Sequence, residues 1–313
     1  MRPDPSGGCE LVIGASGQVG EHLISGLSAR GRDVVSTGFL HAGPSRISLD
    51  LRDGQAVAGL FGRVAPRVVY LSAALTNVDY CELHPDESYA VNVEGAATVV
   101  REANRAGAAV VFFSTDYIFD GASGPYRETD PARPVCVYGL HKLLAEHYVA
   151  AHAARRLIVR TTGVYGWESQ GKNFVVRLID ALRAGRPLKA PADQTGTPTY
   201  APCLADAVLE LVDRGASGVF HVAGSEAASR YEFARAAARA FGLDESLIQP
   251  VSTPELAQAA PRPLSGGLDI SKAQALLQTE LIGYREGLRR MAEEGRPSSL
   301  SRERSELLPK KEG

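Results

Sequence analysis

Tyr138 and Lys142 stand four apart in the run Tyr138-Gly-Leu-His-Lys142, a spacing that puts both on one helix face. A free tyrosine titrates near pH ~10 and is a poor acid or base at neutral pH. An ammonium group beside it favours the phenolate and lowers that value, so Lys142 is expected to tune Tyr138. The run Ser114-Thr115-Asp116-Tyr117 closes an apolar stretch, and Thr115 there is placed to donate a hydrogen bond to a carbonyl. A hydroxyl donor, a tunable phenol and a lysine together suit proton transfer to a carbonyl oxygen. Taken alone, Tyr-x-x-x-Lys also describes an ordinary surface helix pair.

A second constellation is Gly14-Ala-Ser16-Gly17-Gln18-Val19-Gly20. It follows the apolar run Leu11–Ile13 and opens a helix. Gly14 allows a tight turn, Gly17 lets the backbone approach a pyrophosphate, and Gly20 lets the helix pack closely. Ser16, Gln18 and Val19 complete the turn, whose helix N-terminus offers N–H groups to phosphates. A tight β–α turn without ligand is the plainer reading. The second strand ends in Val35–His41 without a carboxylate for an adenosine ribose. That favours NADP(H), with NAD(H) open, and leaves His41 and Arg46 as candidates for a 2′-phosphate. Asp50-Leu51 is read either as a contact to the adenine edge or as a turn or N-cap aspartate.

These groups need elements to position them. Leu11–Ile13, Asp33–Thr37, Arg67–Ser72, Ala108–Ser114 and Leu157–Thr161 read as strands, and Val19–Leu27 and Ala96–Ala106 as helices. Continuous rather than alternating apolar strands imply a sheet covered on both faces. Strands interleaved with helices imply an α/β fold with a Rossmann-like, doubly wound parallel sheet. After Thr161 come a loop over Gly163–Gly171, a helix over Asn173–Ala184, a long Pro-, Thr- and Gly-rich loop over Pro187–Pro202, and a helix over Leu204–Val212. A strand at Gly218–Val222, a helix at Tyr231–Phe241 and an irregular stretch from Pro250 to Gly267 follow. Residues 1–165 are expected to form the dinucleotide domain, with 200–222 returning to it. Residues 166–199 and 223–295 would build a smaller C-terminal α/β substrate lobe, and 296–313 a flexible tail.

Composition narrows the rest. The chain has 313 residues, 44% hydrophobic and 22% charged, so it has ample material for a core and is not a disordered chain. A net charge of −2 lacks the basic excess needed for nucleic-acid polymers or a polybasic membrane anchor. Cys9, Cys81, Cys136 and Cys203 have no zinc spacing, and reduced thiols in the cytoplasm are expected. Met1–Glu10 has no apolar signal-peptide core, and no apolar run reaches the ~18 residues of a membrane span.

The motifs together resemble the extended short-chain dehydrogenase/reductases. Within them the chain is similar to the dTDP-4-dehydrorhamnose reductase group, which also holds the regulatory β subunit of methionine adenosyltransferase. The matching stretches are Gly14–Gly20, Leu71–Asp79, Asn92–Gly95, Ser114–Gly121, Tyr126–Asp130, Tyr138–Lys142, Asp193–Thr199 and Arg262-Pro263. The resemblance implies a triad of Thr115, Tyr138 and Lys142, with Tyr138 and Lys142 also meeting the cofactor beside Ala73 and Ala74. It places Thr76, Asp116, Tyr117 and Gln194 near the substrate, and Arg262 against a nucleotide phosphate. Asn92 is read as ordering the helix beside Lys142, or as plain packing. Trp167 and Asn173 are read either as substrate contacts or as a core tryptophan and a helix N-terminal asparagine. The implied activity is NADPH-dependent reduction of a nucleotide-linked 4-keto-6-deoxy sugar in deoxysugar biosynthesis, without a metal, in a chain open to homodimerisation. Epimerisation or dehydration of a sugar nucleotide, and a non-catalytic NADP-binding regulatory subunit, are the rival readings. Two departures bear on the sugar. Leu140-His141 replaces the usual small or basic residues, and Leu-Ser-Gly-Gly follows Arg262-Pro263 where the reductases often carry Asn-Ser.

Overall fold

The continuous apolar runs become the strands of one sheet: β1 (Glu10–Ile13), β2 (Val34–Gly38), β3 (Ile47–Ser48), β4 (Val68–Leu71), β5 (Ala109–Thr115), β6 (Arg156–Thr161) and an edge strand, Gly218–His221. The computed structural model describes residues 8–39 and 46–297. The seven strands run edge strand, β6, β5, β4, β1, β2, β3. Every pairing in that sheet is parallel. The order reverses direction between β1 and β4, and in such sheets the crevice at the carboxyl ends of those strands is where ligands bind.

Strand alternation distributes the side chains to two cores. Leu11, Ile13, Val69, Leu71, Val110 and Phe112 pack under α2 (Gly54–Val64), α5 (Ala96–Arg105) and α6 (Val137–His152). Val12, Val68, Tyr70, Val111 and Phe113 face the other way, under α1 (Gln18–Ala29) and a later helix, Ala201–Asp213. That helix lies so close to α1 that a Cβ on Gly26 would meet Leu209 Cδ1 at 2.7 Å. A third core joins Tyr165, Trp167, Phe174–Arg183, Arg230–Ala240 and Tyr284–Glu294.

Two regions differ from the sequence reading. The stretch expected as a loop over Pro187–Pro202 contains three short strands, each paired with a distant segment. Leu188–Pro191 runs parallel to Ile248–Val251. Thr195–Gly196 runs antiparallel to Ala228–Ser229, and Thr199–Tyr200 parallel to Val164–Tyr165. Pairs this short leave no periodicity to read. Between β4 and α5 the chain also forms α3 (Val78–Leu83), α4 (Pro85–Tyr89) and a π-helical turn, Ala90–Gly95. His41 lies outside the described residues, as does the tail beyond Pro297. Among the described residues, no helix is long and apolar enough to cross a membrane.

Helix α6 is seated directly on the end of β5. A Cβ on Gly139 would stand 2.1 Å from the Tyr117 carbonyl oxygen. Gly139→Ala must therefore push α6 away, and overpacking of this kind costs about 1–3 kcal/mol. Gly62 in α2 has nothing within 4 Å of its Cβ position, so Gly62→Ala gains only helix propensity. Thermal unfolding is expected to show a lower midpoint for Gly139→Ala and an equal or higher one for Gly62→Ala.

Candidate active site

Three segments meet at the carboxyl edge of the sheet: the Gly14–Gly20 turn, the loop after β4, and the turn after β5 with α6 against it. Gly14 has φ +94°, and a Cβ there would meet Ala73 N at 2.4 Å. Its glycine is required by the incoming β4 loop as well as by its backbone. A Cβ on Gly20 would lie 2.3 Å from Gly14 O. Gly17 is different, because its Cβ would meet only Gly14 O, at 3.4 Å. It is the N-cap of α1 and no side chain caps that helix. The protein's own packing does not demand this glycine, and the open face suits a pyrophosphate held by first-turn N–H groups.

The neighbouring cofactor candidates are spread unevenly. Ser72 N and Ala73 N both donate to Ile13 O, which holds Ala73 and Ala74 beside the turn. Ser16 is buried, and its carbonyl accepts from Gln170 Nε2 at 2.6 Å. Val19 packs into the core. The Gln18 amide is committed to the backbone of Val164 and Gly166, so its side chain does not face a phosphate. Asp50 is gripped by Arg52 at 2.7–3.0 Å and accepts from Arg52 N, which is the turn-aspartate arrangement. That guanidinium holds its carboxyl below the usual range. The Leu51 side chain is in the core against Gly95. Arg46 lies 3.9 Å from Glu21.

Around the triad, Thr115 Oγ1 donates to Asp116 Oδ1 at 3.3 Å and accepts from Tyr117 N at 3.2 Å. Asp116 is buried and its other oxygen accepts from Thr162 Oγ1 at 2.6 Å. Burial pushes the Asp116 carboxyl up, against Thr162, Arg230 and Thr115, which pull it down. Tyr138 is buried with the Thr115 hydroxyl beside it and Tyr117 edge-on, with centroids 5.8 Å apart. Burial holds its phenol well above the ordinary tyrosine value, and the Thr115 hydrogen bond only partly offsets this.

The expected depression of Tyr138 by Lys142 is thus overturned. Lys142 Nζ sits 4.1 Å over the Phe112 ring, and among the described residues it makes no hydrogen bond or ion pair. Burial brings the ammonium itself down to about 7, with Glu146 opposing. A half-neutral lysine directed at an arene has little charge to lend. On the Phe112 face of β5, two residues along, Ser114 Oγ is buried without a partner. An orphan hydroxyl, a lysine amine without a hydrogen-bond partner and the open Gly17 face together fit a dinucleotide with a ribose near Lys142.

Asn92 acts one step away. Its side chain accepts from Leu75 N at 2.8 Å, donates to Leu75 O at 3.0 Å, and reaches Ser88 Oγ. Ser88 in turn bonds His141 Nδ1 at 2.8 Å. Asn92 thereby holds the β4 loop and, through Ser88, the turn of α6 that carries Lys142.

Several substrate candidates have other tasks. The Trp167 indole is in the third core and donates to Met291 O at 2.9 Å, so the core reading holds. Asn173 is the N-cap of Phe174–Arg183, accepting from Val176 N at 3.2 Å. Gln194 is buried with its amide on Thr253 Oγ1. Arg262 was expected at a phosphate. Instead it pairs with Asp79 at 3.0 Å and donates to Ala260 O at 2.9 Å, clasping its segment to α3. Thr76 is exposed on the loop before α3. Two neighbours of Asp116 have no site role in the sequence reading: Thr162, which nothing local marks, and Gly266, part of the Leu-Ser-Gly-Gly departure, whose Cβ would stand 3.4 Å from Asp116 Oδ2.

The chain matches the family described as the RmlD substrate binding domain over residues 10–296. It is 37% identical over 254 residues to the spore coat polysaccharide biosynthesis protein SpsK of Bacillus subtilis, covering 81% of this chain and 86% of that one. It is 36% identical over 259 residues to a dTDP-4-dehydrorhamnose reductase of Mycobacterium tuberculosis, covering 80% and 82%. Among solved structures, a dTDP-4-dehydrorhamnose reductase of Bacillus anthracis in complex with NADP superposes with a TM-score of 0.84 at 28% identity, covering 92% and 99%.

The buried lysine sets a pH dependence. Below about pH 7 Lys142 is protonated in both folded and unfolded chains, and the fold bears the whole cost of burying the ammonium. From there to its unfolded value of about 10.4 the folded state is neutral while the unfolded state still binds a proton, so stability rises with pH. Urea unfolding of the ligand-free protein should show Lys142→Met more stable than wild type at pH 6, with the gap shrinking by pH 9. A gap that does not change with pH contradicts this.

Proposed function

The chain belongs to the RmlD substrate-binding-domain family, and from that premise we propose that it is an NADPH-dependent reductase of a nucleotide-linked 4-keto-6-deoxy sugar, in the manner of the dTDP-4-dehydrorhamnose reductases. The observation that carries this reading is geometric: the buried Tyr138 phenol stands beside the Thr115 hydroxyl, where reduction of a ketone needs a proton donor and a hydrogen bond to the same oxygen. A phenolate poised as a base would suit the reverse direction better.

The residues divide the work. Thr115 redirects its hydroxyl from Asp116 to the substrate carbonyl oxygen, and stabilises the charge that develops there. Tyr138 gives its proton to the same oxygen as the alkoxide forms, and recovers one from solvent afterwards. Lys142 and Ser114 hold the ribose, and Gly17 with the first turn of α1 holds the pyrophosphate. Bound NADPH supplies the hydride to the carbonyl carbon. Asp116, fixed by Thr162, keeps Thr115 oriented between turnovers.

The free cysteines among the described residues support a reducing compartment such as the cytoplasm. The apolar side chains left exposed on α3, α4 and α6, namely Leu83, Tyr89, Leu140 and Leu144, are where a second copy of the chain would seat.

NADPH oxidation against dTDP-, UDP- and GDP-linked 4-keto-6-deoxy sugars tests the reading. Stoichiometric consumption by at least one of them is expected. Tyr138→Phe should lower kcat about 10²–10⁴-fold, the usual contribution of a positioned acid, with NADPH binding kept. Wild-type rates in that variant would falsify the assignment of the acid. NADPH binding with no turnover on any sugar would move the protein to the regulatory reading.

A further inference from the structure

The nucleotide-sugar reading requires a cation for the substrate's diphosphate, and the arginine expected there is already paired with Asp79. Resting on that reading, we propose that Arg230, at the start of the helix Arg230–Ala240, is the residue that binds the diphosphate, and that Arg262 is a structural clasp. A chain of contacts places Arg230 at the site. A Cβ on Gly266 would stand 3.4 Å from Asp116 Oδ2, and Gly266 N donates to Thr195 O at 3.0 Å. Thr195 pairs with Ser229, and Arg230 N donates to Gln194 O at 2.9 Å. From Gly266, which abuts Asp116, to Ser229, which precedes Arg230, is thus two strand spacings, on the order of 10 Å, which an arginine side chain and a diphosphate together span.

The electrostatics agree with this position. Arg230 pulls down both the Asp116 carboxyl and the Tyr117 phenol, the two residues after Thr115, and Arg262 pulls down Tyr117 as well. Its guanidinium nevertheless makes no hydrogen bond or ion pair among the described residues. The next arginine on the same helix, Arg235, is held by Glu245 at 3.1 Å. Arg230 therefore keeps its full set of donors for a ligand. Its backbone is meanwhile fixed by Gln194 and by the Ser229–Glu232 capping box, in which Glu232 N donates to Ser229 Oγ at 3.1 Å. A rigid stem carrying an uncommitted guanidinium suits bidentate phosphate recognition. Arg230 comes from the lobe and Thr115 from the sheet, so a ligand bridging them would join the two.

Calorimetric titration of the full chain with dTDP, UDP and the matching nucleosides tests this without turnover. The wild-type protein should bind a nucleoside diphosphate more tightly than its nucleoside. In Arg230→Met and Arg230→Gln that preference should fall about 10- to 100-fold, the range for a charge-assisted hydrogen bond pair. NADPH affinity, read on the same samples, should stay within about two-fold and certifies that each variant is folded. Arg235→Met should behave as wild type. An undiminished diphosphate preference in both Arg230 variants overturns the inference and leaves the reductase reading standing. A wild-type protein that binds NADPH but neither diphosphate overturns the nucleotide-sugar reading itself, and the inference with it.

Discussion

The site depends on how closely α6 lies against the end of β5. The contact is backbone to backbone: Gly139 has no side chain, and the Tyr117 carbonyl occupies the space one would need. That approach brings Tyr138, one residue before Gly139, against Thr115, two residues before Tyr117. The rest of α6 is fastened around it. Val137 N is capped by Glu82 from α3 at 2.9 Å. His141 is tied to Ser88, and Ala145 and Val149 are in the core under the sheet. Three turns of helix are thus held on three sides, and the triad geometry needs no ligand to assemble.

Burial is what gives the assembled groups their chemistry. The same desolvation raises Tyr138 and Asp116 and lowers Lys142, so each is moved toward its neutral form. One turn beyond Lys142, Glu146 is also buried, but its charge is met by Arg160 through contacts of 2.8–3.2 Å. Arg160 continues to Glu128 O, and to His221, which burial brings down to about 4 and so keeps neutral. Breaking one member of such a pair would leave an uncompensated buried charge, which is strongly destabilising. The pair ties α6 to β6 while sparing Lys142 a direct carboxylate partner. Lys142 is then left with a ring beneath it and donors to give.

The lobe is attached by a different means. Its segments return to the sheet through the helix Ala201–Asp213 and the edge strand, and it is fastened across the site by the Arg262–Asp79 pair and by Ala260 N on Asp79. Arg262, paired with α3, is therefore structural, while Arg230, at the start of its helix, keeps an uncommitted charge among the described residues.

The amino-acid sequence by itself determined the parallel sheet, the glycine turn and the Tyr138–Lys142 helix face. Each is written in a local pattern: continuous apolar runs, a fixed glycine spacing, and two residues one helical turn apart. It also exposed Thr115 by its place at a strand end. The tertiary structure alone decided which polar groups are free. Arg262, Gln194, Asn173 and Trp167 all read as candidate ligands in one dimension; Arg262, Gln194 and Trp167 are engaged by partners far along the chain, and Asn173 caps its own helix. Arg230 and Thr162 carry no signal, and Ser114 and Gly266 stand in recognisable runs without showing what they face. The sign of the Tyr138 shift was decided the same way. A lysine four residues on predicts a lowered pKa, but desolvation depends on the packing of the whole site, and here it outweighs the neighbour.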